Sequence, residues 1–315
     1  MKYLIPFSIL LIISFVSCRK QHTDTPEKVC NSSLYAFRYV GHNAYALIEV
    51  DPETGKGAAT SYFPPIRHVE YEQPIKNNCL YGFQADSAGE LILYKFDLKN
   101  KTTETLRYTG VNITPNTLKD AELCLSYSAA LDKFYYTYIY FDSRRNLYTQ
   151  FYEITISGNS FSDTTLIPDP TNFSIYRPAY TNDRTGEMYV KCSYTGWCKY
   201  DLASNKIKNT FRYKEFFLEY NNSDNNFYCL SENNFCKIDA TTDVLTTIDT
   251  LKFLNGTNGG DFVTSDQCKQ QYIIGQFKYG SDTTIDIYWL DMKTGAIKKH
   301  INARDEYYGL FNVNN

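Results

Sequence analysis

The sequence predicts an all-β chain folded as a six-bladed β-propeller and closed by its own C-terminal strand. Three observations carry that expectation. A strand–Asp–turn–strand pattern recurs six times along the chain. Aromatic residues make up 16% of the chain, with 29 tyrosines, a load that suits pleated, half-buried strands. No segment sustains a 3.6-residue apolar period, so helices should be few.

The recurring element runs from an apolar strand into an anchor, usually Asp, then a short polar turn. Its copies are Ile48–Gly55, Tyr94–Asp97, Tyr152–Thr155, Lys199–Asp201, Lys237–Asp239 and Trp289–Gly295. The anchors Asp51, Asp97, Thr155, Asp201, Asp239 and Asp291 stand 46, 58, 46, 38 and 52 residues apart, near the spacing of propeller blades. Four residues after them come Gly55, Lys101, Asn159, Asn205, Asp243 and Gly295. Most of these tolerate the left-handed backbone that closes a hairpin. Thr155 departs from the Asp of the other copies.

Each anchor has a strand upstream at a matching place. Leu34-Tyr35-Ala36-Phe37 parallels Leu80-Tyr81-Gly82-Phe83, and both tyrosines lie 16 residues before their anchor. Phe134-Tyr135, Met188-Tyr189, Phe227-Tyr228 and Tyr272-Ile273 fill that role elsewhere. Before these lie Val69–Pro74, Ala121–Tyr127, Arg177–Thr181, Leu218–Asn221 and Asp261–Thr264, giving four strands per repeat with the first innermost. The first repeat has no such inner strand. Tyr307–Val313, left over at the C-terminus, is expected to supply it, because pairing the two ends removes open sheet edges. The alternative is seven blades, with a degenerate repeat inside the long 97–155 interval. The Asp-x-x-Thr-Gly hairpins resemble those of YVTN-type and quinoprotein-type propellers. That resemblance spans the chain after the N-terminal segment and implies fold rather than function.

Ahead of the repeats, residues 1–17 carry Lys2 and a mostly apolar run from Leu4 to Val16. Thirteen residues are too short to span a membrane but suit the core of a secretory signal. Phe15-Val16-Ser17-Cys18 resembles the lipobox of bacterial lipoproteins, with Phe15 where Leu is usual. The resemblance implies cleavage before Cys18 and lipidation of its thiol, palmitate being one of the acyl groups expected. Residues 18–30 then read as a tether, and 31–315 as the propeller domain. The Asn-, Lys- and Tyr-rich style resembles proteins of the Bacteroidota. Arg19-Lys20-Gln21 lacks the acidic cluster that directs some lipoproteins of that group to the cell surface, so a periplasm-facing outer-membrane position is expected.

Export makes the cysteines informative. Nine are present, and lipidation of Cys18 leaves an even eight in an oxidising compartment. Cys192–Cys198 and Cys229–Cys236 each flank the turn between a second and a third strand, so cross-strand disulfides are expected there. A zinc site of four thiolates would favour shorter C-x2–4-C spacings. Pairing among Cys30, Cys79, Cys124 and Cys268 is not readable.

Charge and motif bound the function. A net charge of −3 with dispersed Lys and Arg disfavours a nucleic-acid partner. His22, His42, His68 and His300 show no metal-ligating spacing, and no nucleophile elbow, phosphate loop, dinucleotide fingerprint or EF-hand occurs. Glu53-Thr54-Gly55-Lys56-Gly57 lies within a hairpin repeat and reads as a turn. The candidate site comes from repeat alignment, which places Glu70, Glu122, Arg177, Glu219, Asp261 and Tyr308 at the starts of the inner strands, around one mouth of a central channel. Such carboxylates suit a divalent cation, calcium above all, or a cationic ligand. They also suit simple solvation of the channel mouth, the reading favoured here.

Three functions follow. The leading one is a membrane-anchored, non-catalytic binding or scaffold propeller that presents loops to a protein, glycan or small ligand. The second is a calcium-dependent hydrolase or lactonase, by analogy with six-bladed enzymes that hold such an ion on their inner strands. A quinone-cofactor dehydrogenase is disfavoured, since Trp197 and Trp289 are the only tryptophans.

Overall fold

The computed structural model describes residues 30–42, 44–59, 63, 73–85, 90–113, 122–141, 147–167, 179–193, 196–211, 215–254, 262–277, 284–304 and 307–314. Among them every regular element is a strand. Contacts divide the chain into residues 1–30 and 31–315, and the sheets all belong to the second unit.

That unit opens with β1 (Ser32–Gly41) and β2 (Ala44–Val50), and β1 pairs antiparallel with the last strand, β23 (Tyr307–Asn314). The expected joining of the two ends of the chain is therefore present. Next come β3 (Ile75–Lys76), β4 (Cys79–Ala85), β5 (Leu91–Asp97) and β6 (Thr102–Tyr108). They are followed by β7 (Glu122–Ser128), β8 (Lys133–Phe141), β9 (Leu147–Ser157) and β10 (Ser160–Ile167). These two antiparallel runs of four join into one eight-stranded sheet where β6 and β10 pair in parallel.

Three four-stranded sheets complete the unit. One is β11 (Tyr180–Thr181), β12 (Glu187–Ser193), β13 (Gly196–Asp201) and β14 (Lys206–Phe211). Another is β15 (Glu215–Asn221), β16 (Asn226–Ser231), β17 (Asn234–Asp239) and β18 (Leu245–Thr250). The last is β19 (Phe262–Asp266), β20 (Gln271–Phe277), β21 (Ile285–Asp291) and β22 (Ile297–Ala303).

The recurring aspartates explain why these chains turn where they do. Asp51, Asp97, Asp201, Asp239 and Asp291 each accept a backbone N–H two residues on, at 2.8–3.1 Å, so the carboxylate builds the turn that the strand ends on. Those hydrogen bonds hold all five carboxyls below their ordinary range. The left-handed residue follows at Gly55, Lys101, Asn205, Asp243 and Gly295, as the spacing predicts. In the third copy it falls on Gly158 instead of Asn159, because the β9–β10 hairpin has no Asp anchor and turns on two residues.

The core lies between sheets. Second and third strands such as β13 and β16 are almost wholly buried, whereas the fourth, β14, is exposed along its length. Phe37, Leu47 and Phe311 pack on Leu80 and Phe96. Tyr81 and Phe83 meet Phe134 and Tyr136; Tyr135 and Phe151 meet Met188 and Tyr200. Tyr189 and Trp197 meet Leu218 and Phe227; Tyr228 and Phe235 meet Tyr272 and Ile274. Finally Phe262, Ile273 and Ile285 return to Leu34, Ala36 and Ala46, closing the circuit of cores. At about 1.5–3 kcal/mol for each large apolar side chain fully buried, these layers dominate stability.

Two cysteine expectations can be checked. Cys198 is disulfide-bonded, while the side chain of Cys192, its expected partner, lies outside the described residues. The expected Cys229–Cys236 disulfide is not formed, and both residues keep thiols. They do face each other across β16 and β17, two positions from the Ser231–Asn234 pair that flanks the turn. By the alternation of an antiparallel ladder, that is a hydrogen-bonded pair, with Cα atoms about 5.5 Å apart and side chains diverging. A disulfide needs Cβ atoms about 3.8 Å apart. Cys30 and Cys268 are each disulfide-bonded, which parity alone left unread. The lipidation site Cys18 lies outside the described residues.

Candidate functional site

The innermost strand of each run, β3, β7, β11, β15, β19 and β23, contributes to one cavity of about 480 Å³. One edge of each inner strand pairs within its own sheet, so the other edge needs different hydrogen-bond partners. Side chains of neighbouring inner strands and the turns beside them supply some of these and bond to one another in a belt. Asn312 on β23 donates from its backbone N–H to Thr264 Oγ1 at 3.0 Å and from Nδ2 to the Ser265 carbonyl at 3.1 Å. Ser265 on β19 donates to Glu219 Oε2 on β15 at 2.9 Å, and Gln267 donates to the Tyr220 carbonyl at 2.9 Å. Asn222, just past β15, donates to Asp183 Oδ2 at 3.2 Å, and Thr181 on β11 donates to the Tyr127 carbonyl of β7 at 2.7 Å. Asp132, in the turn after β7, forms an ion pair with Lys76 of β3 at 2.5 Å.

Two carboxylates among the described residues line the cavity, Asp183 and Glu219. Burial pushes the Asp183 carboxyl above its ordinary range, against hydrogen bonds from the Ala129 N–H, Asn222 and Thr181 that favour its charge. Asp132 moves the other way, held low by Lys76 and by the Tyr127 hydroxyl, which donates to it at 2.6 Å. Hydroxyls and amides of Ser126, Thr181, Thr264, Ser265, Gln267 and Asn312 share the rest of the wall with apolar side chains such as Leu125, Leu218, Val263 and Leu310. Most of these groups are engaged in the belt, so the wall is ordered before any ligand arrives.

Only part of the sequence-predicted site converges here. Glu219 reaches the cavity. Tyr308 does not: its ring packs on Tyr45 (5.0 Å between centroids) and Phe277 (5.8 Å). The alignment treated both residues as strand starts. In fact β15 begins at Glu215, four residues before Glu219, whereas Tyr308 is the second residue of β23. The two therefore sit at different heights along their strands. Glu122 opens β7, three residues before Leu125, the first wall residue of that strand, and its side chain lies outside the described residues. Glu70, Arg177 and Asp261 also lie outside them. Among the described residues no three His, Cys, Asp or Glu side chains gather as a metal-ion cluster.

Repeat reasoning missed Asp183 and the belt of Thr181, Ser265, Gln267 and Asn312. It chose charged residues at strand starts, but the wall uses the far halves of the inner strands and the turns that follow. The Thr181-Asn182-Asp183 run was a usable signal, since Asn182 Oδ1 accepts the Arg184 N–H at 2.9 Å and marks the turn.

No family model and no curated protein sequence matches the chain. Solved structures do. Apo AztD from Citrobacter koseri superposes with a TM-score of 0.50 at 8% identity, over 90% of this chain and 98% of that one. The β-propeller domain of Cps50 (Swd1) from Myceliophteria thermophila gives 0.50 at 10% identity, covering 87% and 88%. A protein from Lactobacillus plantarum gives 0.51 at 11% identity, covering 90% and 99%. At such identities the likeness is one of fold alone, and with the sheet order above it makes the chain an all-β propeller.

Proposed function

We propose that this chain is an exported lipoprotein, anchored through Cys18 to the periplasmic side of an outer membrane, whose six-bladed propeller is a non-catalytic binding module. The six-blade count rests on the six inner strands and on the repeat spacing; β6 to β9 take up the long 97–155 interval without an added sheet among the described residues. One observation carries the binding reading: a cavity of about 480 Å³ has a partly apolar wall set with preordered hydroxyls and amides, with Asp183 and Glu219 as its described charges. Pockets of such size take small ligands, and polar wall groups fix their orientation. The test is a thermal-shift screen of small polar compounds, sugars included, against residues 19–315. A hit that raises Tm in the wild type and fails in Ser265→Ala supports the reading. Hits that are all indifferent to that change would move binding to the outer loops. Cys18→Ala should shift the full chain from the membrane pellet to the soluble fraction. Retention after a salt wash would remove the anchor from the proposal.

The second reading, a calcium-dependent hydrolase or lactonase, draws on the two cavity carboxylates. Residues fit that ion in part: Glu219 and Asp183 supply the hard oxygen donors calcium prefers, but each already accepts hydrogen bonds from neighbours. If millimolar calcium raises Tm over EDTA in the wild type and Glu219→Gln abolishes the rise, this reading gains. Identical melting curves would set it aside.

A further inference from the structure

The six turns after the third strands each hold one left-handed residue: Gly55, Lys101, Gly158, Asn205, Asp243 and Gly295, with φ between +55° and +73°. Glycine meets that conformation at no steric cost and Asn or Asp at a small one, so Lys101 above all is kept against a conformational preference. The neighbouring sheet supplies the reason. Lys101 Nζ donates to the Tyr35 hydroxyl at 2.9 Å and lies 3.4 Å from Glu49 Oε2, both in the sheet before its own. Asn205 Nδ2 donates to the Leu166 carbonyl of β10 at 2.6 Å. Asp243 accepts from Tyr189 at 2.5 Å and Lys199 at 3.1 Å, on β12 and β13.

The glycines obey the same rule through space rather than bonding. A Cβ on Gly295 would stand 2.5 Å from Asp249 Cβ of β18, and one on Gly55 would stand 2.7 Å from Ile301 Cγ2 of β22. Gly158 has open space around it, yet the next residue, Asn159, accepts the Arg107 N–H of β6 at 3.0 Å. Every such turn thus meets the run of strands preceding its own, and the first turn meets the last sheet.

We propose that this position is a docking element, selected by the adjacent sheet rather than by its own turn. Together the six positions form a second seam of the ring, beside the β1–β23 pairing. The seam does not depend on what the cavity binds. Its test uses glycine substitutions that relax the turn while deleting the contact. Lys101→Gly and Asp243→Gly should each lower Tm by roughly 2–4 °C, although a left-handed site ordinarily tolerates glycine well. Gly295→Ala should cost more than Gly158→Ala, since both share the conformational penalty but only the first meets a neighbour. Hydrogen exchange should quicken in β12 and β13 of Asp243→Gly, not only in β17 and β18. Unchanged or raised Tm in both glycine variants, equal losses at Gly158 and Gly295, or exchange confined to the altered hairpin would each overturn the proposal.

Discussion

Tyr189 on β12 donates its phenolic hydrogen to Asp243, 54 residues later in the turn of the next sheet, at 2.5 Å. The ring of Tyr189 is fully buried, so burial pushes its phenol far above the ordinary range, and the bond to Asp243 adds to that. Lys199 reaches the same carboxylate at 3.1 Å and Glu187 at 3.2 Å, so the phenol sits in a nearly closed ionic network between two sheets. Tyr189→Phe keeps the ring packing and removes one hydrogen bond to a charged group. We expect a loss of about 1.5–3 kcal/mol in urea unfolding with little change in m-value. A loss below about 0.5 kcal/mol would mean that the other partners of Asp243, Lys199 and the Asn209 amide at 3.1 Å among them, satisfy it without the phenol.

Acid should unfold the propeller through its turns. Thr54 and Glu53 hold Asp51 low, Asn100 holds Asp97, Ser204 holds Asp201 and Thr242 holds Asp239. Because the folded-state pKa lies below the unfolded one, each turn contributes stability that is complete above the unfolded value of about 3.9 and is lost as pH falls through the folded value. Asp183 has the opposite sign: its raised pKa favours the folded state below about 3.9, and that contribution fades as pH rises through the folded value. Urea melts from pH 6 to pH 2.5 should fall in midpoint at the acid end. Asp239→Asn keeps an acceptor for the turn without its titration and should flatten that fall. Equal acid limbs for the two proteins would remove this turn from the account.

Deleting residues 307–315 should abolish cooperative folding. The segment carries Tyr307, Leu310, Phe311 and Val313, all buried, and Tyr307 donates to the Gly55 carbonyl at 2.8 Å. Its loss uncovers β1 and parts the first sheet from the last. Circular dichroism melts would show a broad, low transition, and a sharp transition within a few degrees of the wild type would contradict the closure.

The disulfide state has a definite expected pairing. Ser32 donates to Asp266 at 2.6 Å and Lys269 donates to Ser32 at 2.9 Å, which sets the start of β1 beside the β19–β20 turn. Cys30 and Cys268 flank those contacts in sequence. Peptide mapping of non-reduced protein should therefore recover Cys30 cross-linked to Cys268, with Cys229 and Cys236 alkylated only after unfolding. Recovery of Cys30 joined to any other cysteine would refute the pairing.

Repeat spacing made the propeller legible because its cause is local. An Asp whose carboxylate accepts one or two backbone N–H groups, followed by a left-handed residue, builds a hairpin from five consecutive positions. Asp51, Asp239 and Asp291 could be aligned before any tertiary contact was known. Strand order and the pairing of β1 with β23 followed, since an unmatched strand at one end and a missing one at the other admit a single economical solution. The third copy was misaligned by one residue for the same reason: Thr155 offers no carboxylate, so the local cause is absent there.

The candidate site was less legible because its cause is not local. Glu219 and Tyr308 look alike in a repeat alignment, yet one lines the cavity and the other packs among aromatic rings. Where each inner strand begins depends on its pairing partner, and β15 is shifted by a bulge between Phe216 and Glu219. Cys229 and Cys236 likewise stand opposite one another as the sequence implies, but only the ladder decides that they form a hydrogen-bonded pair that disfavours a disulfide. By itself the sequence determined most of the strands and their Asp-anchored turns, which rest on hydrogen bonds within a few residues, although the second inner strand lies at Ile75–Lys76 and not within Val69–Pro74. Only the tertiary structure decided which polar groups meet at the cavity and which residue each turn presents to its neighbour, since those contacts depend on how separate sheets stack.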